Sequence, residues 1–143
     1  MEIPTPEPGL VICYSYLWRD EHKSGQEEGL KHRPSVIVLV VEGSGDEAPL
    51  VTVLPITHSA PRDPTAAVEI PSAVKRHLGL DHARSWVVVS EGNEFLWPGY
   101  DLRKRPNSDS YEFGILPGRF FEQVLAAFLA YVRAGRAEKT GRD

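Results

Sequence analysis

The apolar runs of this chain are short and spaced by polar turns, which is the rhythm of strands with helices at the margins. Residues 10–18 (LVICYSYLW) read as a first strand in which Tyr14, Tyr16 and Trp18 alternate with Ser15 and Leu17 and so share one face. Residues 19–32 are charged, hold two glycines and lack apolar periodicity, so they read as a loop. Residues 36–42 (VIVLVVE) are apolar on both faces and predict a central strand, and residues 50–56 return as its partner after the Gly43-Ser44-Gly45-Asp46 turn. Short strands follow at 68–70, 86–90 and 111–115. A short helix over 71–78 is opened by Pro71 and closed by Gly79, and residues 91–106 read as irregular. The clearest element is a C-terminal helix over about 118–134. Phe120, Phe121, Val124, Leu125, Phe128, Leu129 and Val132 form its apolar stripe, which predicts packing on a sheet, with dimerisation as a second use. The elements together predict an α+β fold, mainly β: a small antiparallel barrel with a short helix and a C-terminal helix.

At 143 residues the chain is read as a single domain, with about 1–8 and 136–143 flexible. Its single cysteine, Cys13, lies in an apolar run and reads as a small buried residue suited to a reducing compartment. No apolar stretch is long enough to span a bilayer, and the acidic, proline-rich start is unlike a signal peptide, so the expected setting is cytoplasmic, away from membranes. A net charge of −4 argues against a broad electrostatic grip on nucleic acid, leaving room for a local basic site. The runs Lys75-Arg76-His77 and Arg103-Lys104-Arg105 read as solvated surface. His77 and His82, five residues apart with no cysteine beside them, do not match a zinc pattern, and no metal or other cofactor is expected.

A basic triplet, Lys31-His32-Arg33, stands directly before Pro34 and the central strand. "EEGLKHRPSVIVL" followed by "VTVLPITHS" resembles the PemK/MazF family of toxin–antitoxin endoribonucleases, in which Glu-x-x-x-x-Arg-Pro opens an apolar strand and the next strand ends in Pro-x-Thr or Pro-x-Ser. Here these are Glu28, Arg33 and Pro34, then Pro55-Ile56-Thr57. "FGILPGRFFEQVLAAFL" is similar to the segment leading into the family's last helix. The likeness is good over residues 9–60, weak over 61–110 and moderate over 113–130. It implies a compact SH3-like (CcdB/PemK-like) barrel, usually a homodimer, that cleaves single-stranded RNA without a metal. The ribose 2′-hydroxyl attacks the scissile phosphate and leaves a 2′,3′-cyclic phosphate, and a cognate antitoxin blocks the same groove.

The chemistry suits the residues in its own right. Attack on a phosphodiester concentrates charge on nonbridging oxygens, and a planar, permanently charged guanidinium meets two of them at once. Arg33, held extended by Pro34, is the candidate for that role. In a hairpin of the second and third strands, Thr57 comes beside it as a further donor. The resemblance makes Glu28 a base or an orienter of Arg33. Histidine ordinarily titrates near neutrality, which makes His58, beside Thr57, and His32 acid–base candidates. Candidates for holding RNA are Lys31, Ser59, Arg62, Trp97 and Arg103, and Trp18, Phe95 and Tyr100 join Trp97 as aromatic platforms for unpaired bases. Two other classes remain open. One is a growth inhibitor without catalysis, as in the related CcdB family, which acts on gyrase through protein contacts. The other is a barrel that binds RNA or a peptide without cutting.

Overall fold

Alternation of side chains builds the sheet and divides its residues between two cores. The computed structural model describes residues 3–18 and 32–135 in full and the backbone of residues 138–141. The strands are β1 (Leu10–Tyr14), β2 (Arg33–Val41), β3 (Leu50–Thr57), β4 (Ala67–Glu69), β5 (Trp86–Val88), β6 (Glu91–Leu96), β7 (Glu112–Ile115) and β8 (Glu138–Gly141). The helices are α1 (Ser72–Leu78) and α2 (Gly118–Arg133), with one turn of 3-10 helix at Pro64–Ala66. β2 and β3 pair antiparallel from Ser35–Pro55 to Val41–Leu50, with a bulge between Ile37 and Leu39. β1 lies between β2 and β7. The outer edge of β3 is shared: its first half pairs with β6 and its last two residues with β5, which in turn pairs with β4. β8 joins β6 in parallel. The architecture is α+β and mainly antiparallel, as the residue pattern predicts. Among the described residues its main path, β4-β5-β3-β2-β1-β7, is open, with β4 and β7 as edges.

One core is aliphatic. Val11, Val36, Val38, Leu54, Ile56 and Val87 from the strands, with Val89 just past β5, meet Val74 and Leu78 of α1 and Phe120, Val124 and Phe128 of α2. Each such side chain contributes about 1.5–3 kcal/mol by leaving water. Val132, expected on the buried stripe, is 47% exposed. Tyr131 takes the inward position instead, and its hydroxyl donates to Asp63 at 2.7 Å. Gly79 closes α1 in the left-handed region, φ 71°, with its N–H on the Arg76 carbonyl, where a side chain would strain the backbone. Arg76 and His77 are solvated as expected, but Lys75 is buried. Its ammonium donates to the carbonyls of Ala83 (2.5 Å) and His82 (3.4 Å), which makes burial of the charge tolerable and ties the 81–85 loop to α1.

The other core is aromatic: Leu10, Ile12, Tyr14, Tyr16, Ile37, Val51, Val53, Phe95 and Trp97. The first strand stops at Tyr14, short of the expected Trp18, yet Tyr16 and Trp18 keep the alternation and extend the aromatic face. Residues 91–96, read from sequence as irregular, form β6. Their inward positions are Glu91, Asn93 and Phe95, so the segment lacks the apolar alternation that marks a strand. Long-range bonds satisfy the buried polar groups: Asn93 accepts from the Leu17 N–H (2.9 Å) and donates to the Leu17 carbonyl (2.8 Å), and Tyr16 donates to Glu91 (3.1 Å). Cys13 is buried beside β7, and that burial raises its thiol pKa despite the opposing fields of Arg105 and Arg103. Among the described residues no helix is long and apolar enough to cross a membrane.

Candidate nucleic-acid interface

At one end of the sheet, β1 and β3 finish while β2 and β5 begin. The pairing registers lay a single row across five strands there. Tyr14 stands opposite Arg33, Thr57 opposite Trp86, and Trp86 opposite Glu69. Continuing the Ser35–Pro55 register outward by two residues sets Arg33 opposite Thr57. Directly opposed residues project to the same face with Cβ atoms about 4.5–5.5 Å apart. Tyr14 shows which face this is, because it belongs to the aromatic core.

Arg33 is half-buried. Its guanidinium lies 5.2 Å from the centroid of the Trp18 ring, and Nη1 donates to the Ile56 carbonyl at 3.5 Å. Trp18 meets Tyr16 edge-on at 5.1 Å, Tyr16 meets Tyr14 at 6.5 Å, and Tyr14 stacks on Phe95 at 4.9 Å. The guanidinium therefore rests on the end of an aromatic ladder, and the two Asn93–Leu17 bonds hold the backbone next to Trp18. Such support limits the orientations the fork can take, and aromatic stacking adds about 0.5–2 kcal/mol of cation–π attraction. The Thr57 Oγ1 accepts from the Ser59 N–H at 3.1 Å, which leaves its hydroxyl hydrogen for another acceptor.

His58, the next residue, is turned to Asp81: Nε2 lies 3.0 and 3.1 Å from the two carboxylate oxygens. Asp81 also accepts from the Ala83 N–H, in the loop that Lys75 anchors. His32, Ser59 and Arg62 are exposed around this end of the sheet, Arg62 in the connection beyond β3. Arg103 runs beside the end of β1, where its N–H donates to the Cys13 carbonyl. Its own guanidinium donates to the carbonyls of Tyr100 and Leu102. Glu28 and Lys31 lie outside the described residues. Trp97 is buried, stacked on Phe95 at 6.1 Å, and its indole donates to the Pro4 carbonyl, so it anchors the N-terminal segment within the core. Tyr100, at 84% exposure, has a free ring.

Two charged residues complete the row that residue patterning did not single out. Arg84 lies 5.0 Å over the Trp86 ring and forks onto Glu69, with Nε and Nη2 each 2.8 Å from a different carboxylate oxygen. Those hydrogen bonds lower the Glu69 pKa and raise that of Arg84. The arrangement thus combines a stacked guanidinium, a hydroxyl and a second stacked guanidinium on one face, which is chemistry fitted to an oxyanion bearing planar or tetrahedral oxygens. Among the described residues no three His, Cys, Asp or Glu side chains converge as metal ligands. No protein-family model matches this chain, and no curated protein matches it.

Proposed function

We propose that this chain is a PemK/MazF-like endoribonuclease toxin that cleaves single-stranded RNA without a metal and is held in check by a cognate antitoxin. The observation that carries the reading is the register of the β2–β3 hairpin, which brings Arg33 and Thr57, the motif residues of the resemblance, to neighbouring positions on one face. Arg33 donates to the nonbridging oxygens as charge develops in the transition state, and the Thr57 hydroxyl assists. A base takes the proton of the 2′-hydroxyl, whose oxygen bonds to phosphorus. The bond to the 5′-oxygen breaks, and an acid protonates that leaving oxygen. Glu28 is the base or orients Arg33, and His58 and His32 are the acid–base candidates at the same end of the sheet. Lys31, Arg62 and Arg103 supply local positive charge to an otherwise acidic protein. The fold that goes with this reading is an SH3-like barrel, paired as a homodimer in the cytoplasm.

A binding surface without turnover is the second reading, and it is favoured by the local bonding of Thr57 to Ser59 and of His58 to Asp81. A long unstructured RNA incubated with the protein in EDTA separates the two. The nuclease reading expects discrete fragments with 2′,3′-cyclic phosphate ends, abolished at any site whose scissile nucleotide is 2′-deoxy. Binding without fragments, by folded protein, would establish the second reading.

A further inference from the structure

Arg84 is bonded as a phosphate-binding arginine would be. Its fork is fully engaged, both nitrogens 2.8 Å from the two Glu69 oxygens, and its plane is carried on Trp86. A carboxylate presents two coplanar oxygens much as a phosphodiester presents its two nonbridging ones, so Glu69 stands where a phosphate would. The side chain is 71% exposed and reachable from solvent. An exposed ion pair of this kind contributes little to stability, so an incoming phosphate can displace the carboxylate. The placement is equally specific. Arg33 and Trp86 flank Thr57 in the row, two strand spacings apart, which is about 10 Å. A single strand laid across the strand ends at Arg33 meets Arg84 next.

We propose that Arg84 is a second phosphate-binding residue of this surface, contacting a phosphate that flanks the one at Arg33, and that Glu69 occupies it until nucleic acid displaces the carboxylate. The inference rests on the nuclease reading of the row and extends it to substrate grip. It also makes Glu69 a gate: part of the chain's acidity is spent on masking one cation of the site.

Binding of an unstructured 2′-O-methyl oligoribonucleotide, which lacks the attacking hydroxyl, tests this apart from cleavage. Affinity is measured against salt for the wild type, Arg33→Ala, Arg84→Ala, Glu69→Gln and the double variant E69Q/R84A. Arg84→Ala weakens binding about 10-fold and flattens the plot of log affinity against log salt by about one unit, the mark of one lost phosphate contact. Glu69→Gln tightens binding about 3-fold, on the scale of an exposed ion pair, and the double variant binds like Arg84→Ala. Melting temperatures stay close to wild type throughout. If Arg33→Ala weakens binding while Arg84→Ala and Glu69→Gln match the wild type in affinity and slope, the pair is an ordinary surface salt bridge and the proposal is overturned, with the nuclease reading intact. If the wild type binds no single strand even at low salt, the nuclease reading fails and the proposal falls with it.

Discussion

The two cores differ in kind. The aliphatic one is built of Val, Leu, Ile and Phe packed under α2, held by contacts that have no preferred direction. The aromatic one is directional: rings meet at defined angles, buried Asn93 and Glu91 hold fixed hydrogen bonds, and the ladder ends at a guanidinium. The first can be repacked so long as volume is kept. The second orients a functional group and tolerates little movement. The same strands serve both, because alternate residues face opposite ways.

Substitutions sharpen this division, beginning with the largest effect. Phe128→Ala removes a buried ring from the aliphatic core and costs about 3–5 kcal/mol in urea unfolding, while the proposed RNA cleavage by folded protein is expected to stay at the wild-type rate. Asn93→Ala breaks two bonds to Leu17 and leaves that backbone unsatisfied, at about 1–3 kcal/mol. It also loosens Trp18 under Arg33, so cleavage falls by more than stability alone explains. Equal losses of stability with no change in the cleavage rate of folded protein would break the comparison. Thr57→Val keeps the shape and removes the donor, lowering the single-turnover rate about 10-fold with a stability change near 1 kcal/mol. The smallest effect is a titration. Pairing with Arg84 lowers the Glu69 pKa, so the pair's contribution is present above the unfolded-state value and is lost only as pH falls through the lowered one. Carbon-13 NMR of the Glu69 carboxyl should show a midpoint below that of an unpaired glutamate, returning upward in Arg84→Ala.

How legible this was follows from the range of the contacts. The β2–β3 hairpin and α2 were readable because periodicity and turn residues are local signals. The neighbouring of Arg33 and Thr57 followed from pairing those two strands. β6 was not readable, since Glu91 and Asn93 occupy inward positions and their partners, Tyr16 and Leu17, lie some seventy residues away. Lys75 looked like solvated surface because its carbonyl partners are set by tertiary folding of the 81–85 loop. Arg84 and Glu69 meet only because β4 pairs with β5, and Asp81 reaches His58 from a loop beyond α1. None of these meetings leaves a mark in the composition of either segment.

The most direct test of the account is the single-turnover RNA cleavage rate of Arg33→Ala beside the wild type, in EDTA, with unfolding measured on the same preparations. The account predicts a loss of about 10²–10³-fold, the scale of removing one charge-stabilising donor, with stability within about 1 kcal/mol of wild type. An unchanged rate in a folded Arg33→Ala protein would contradict it, and would remove the aromatic face from the chemistry of this molecule.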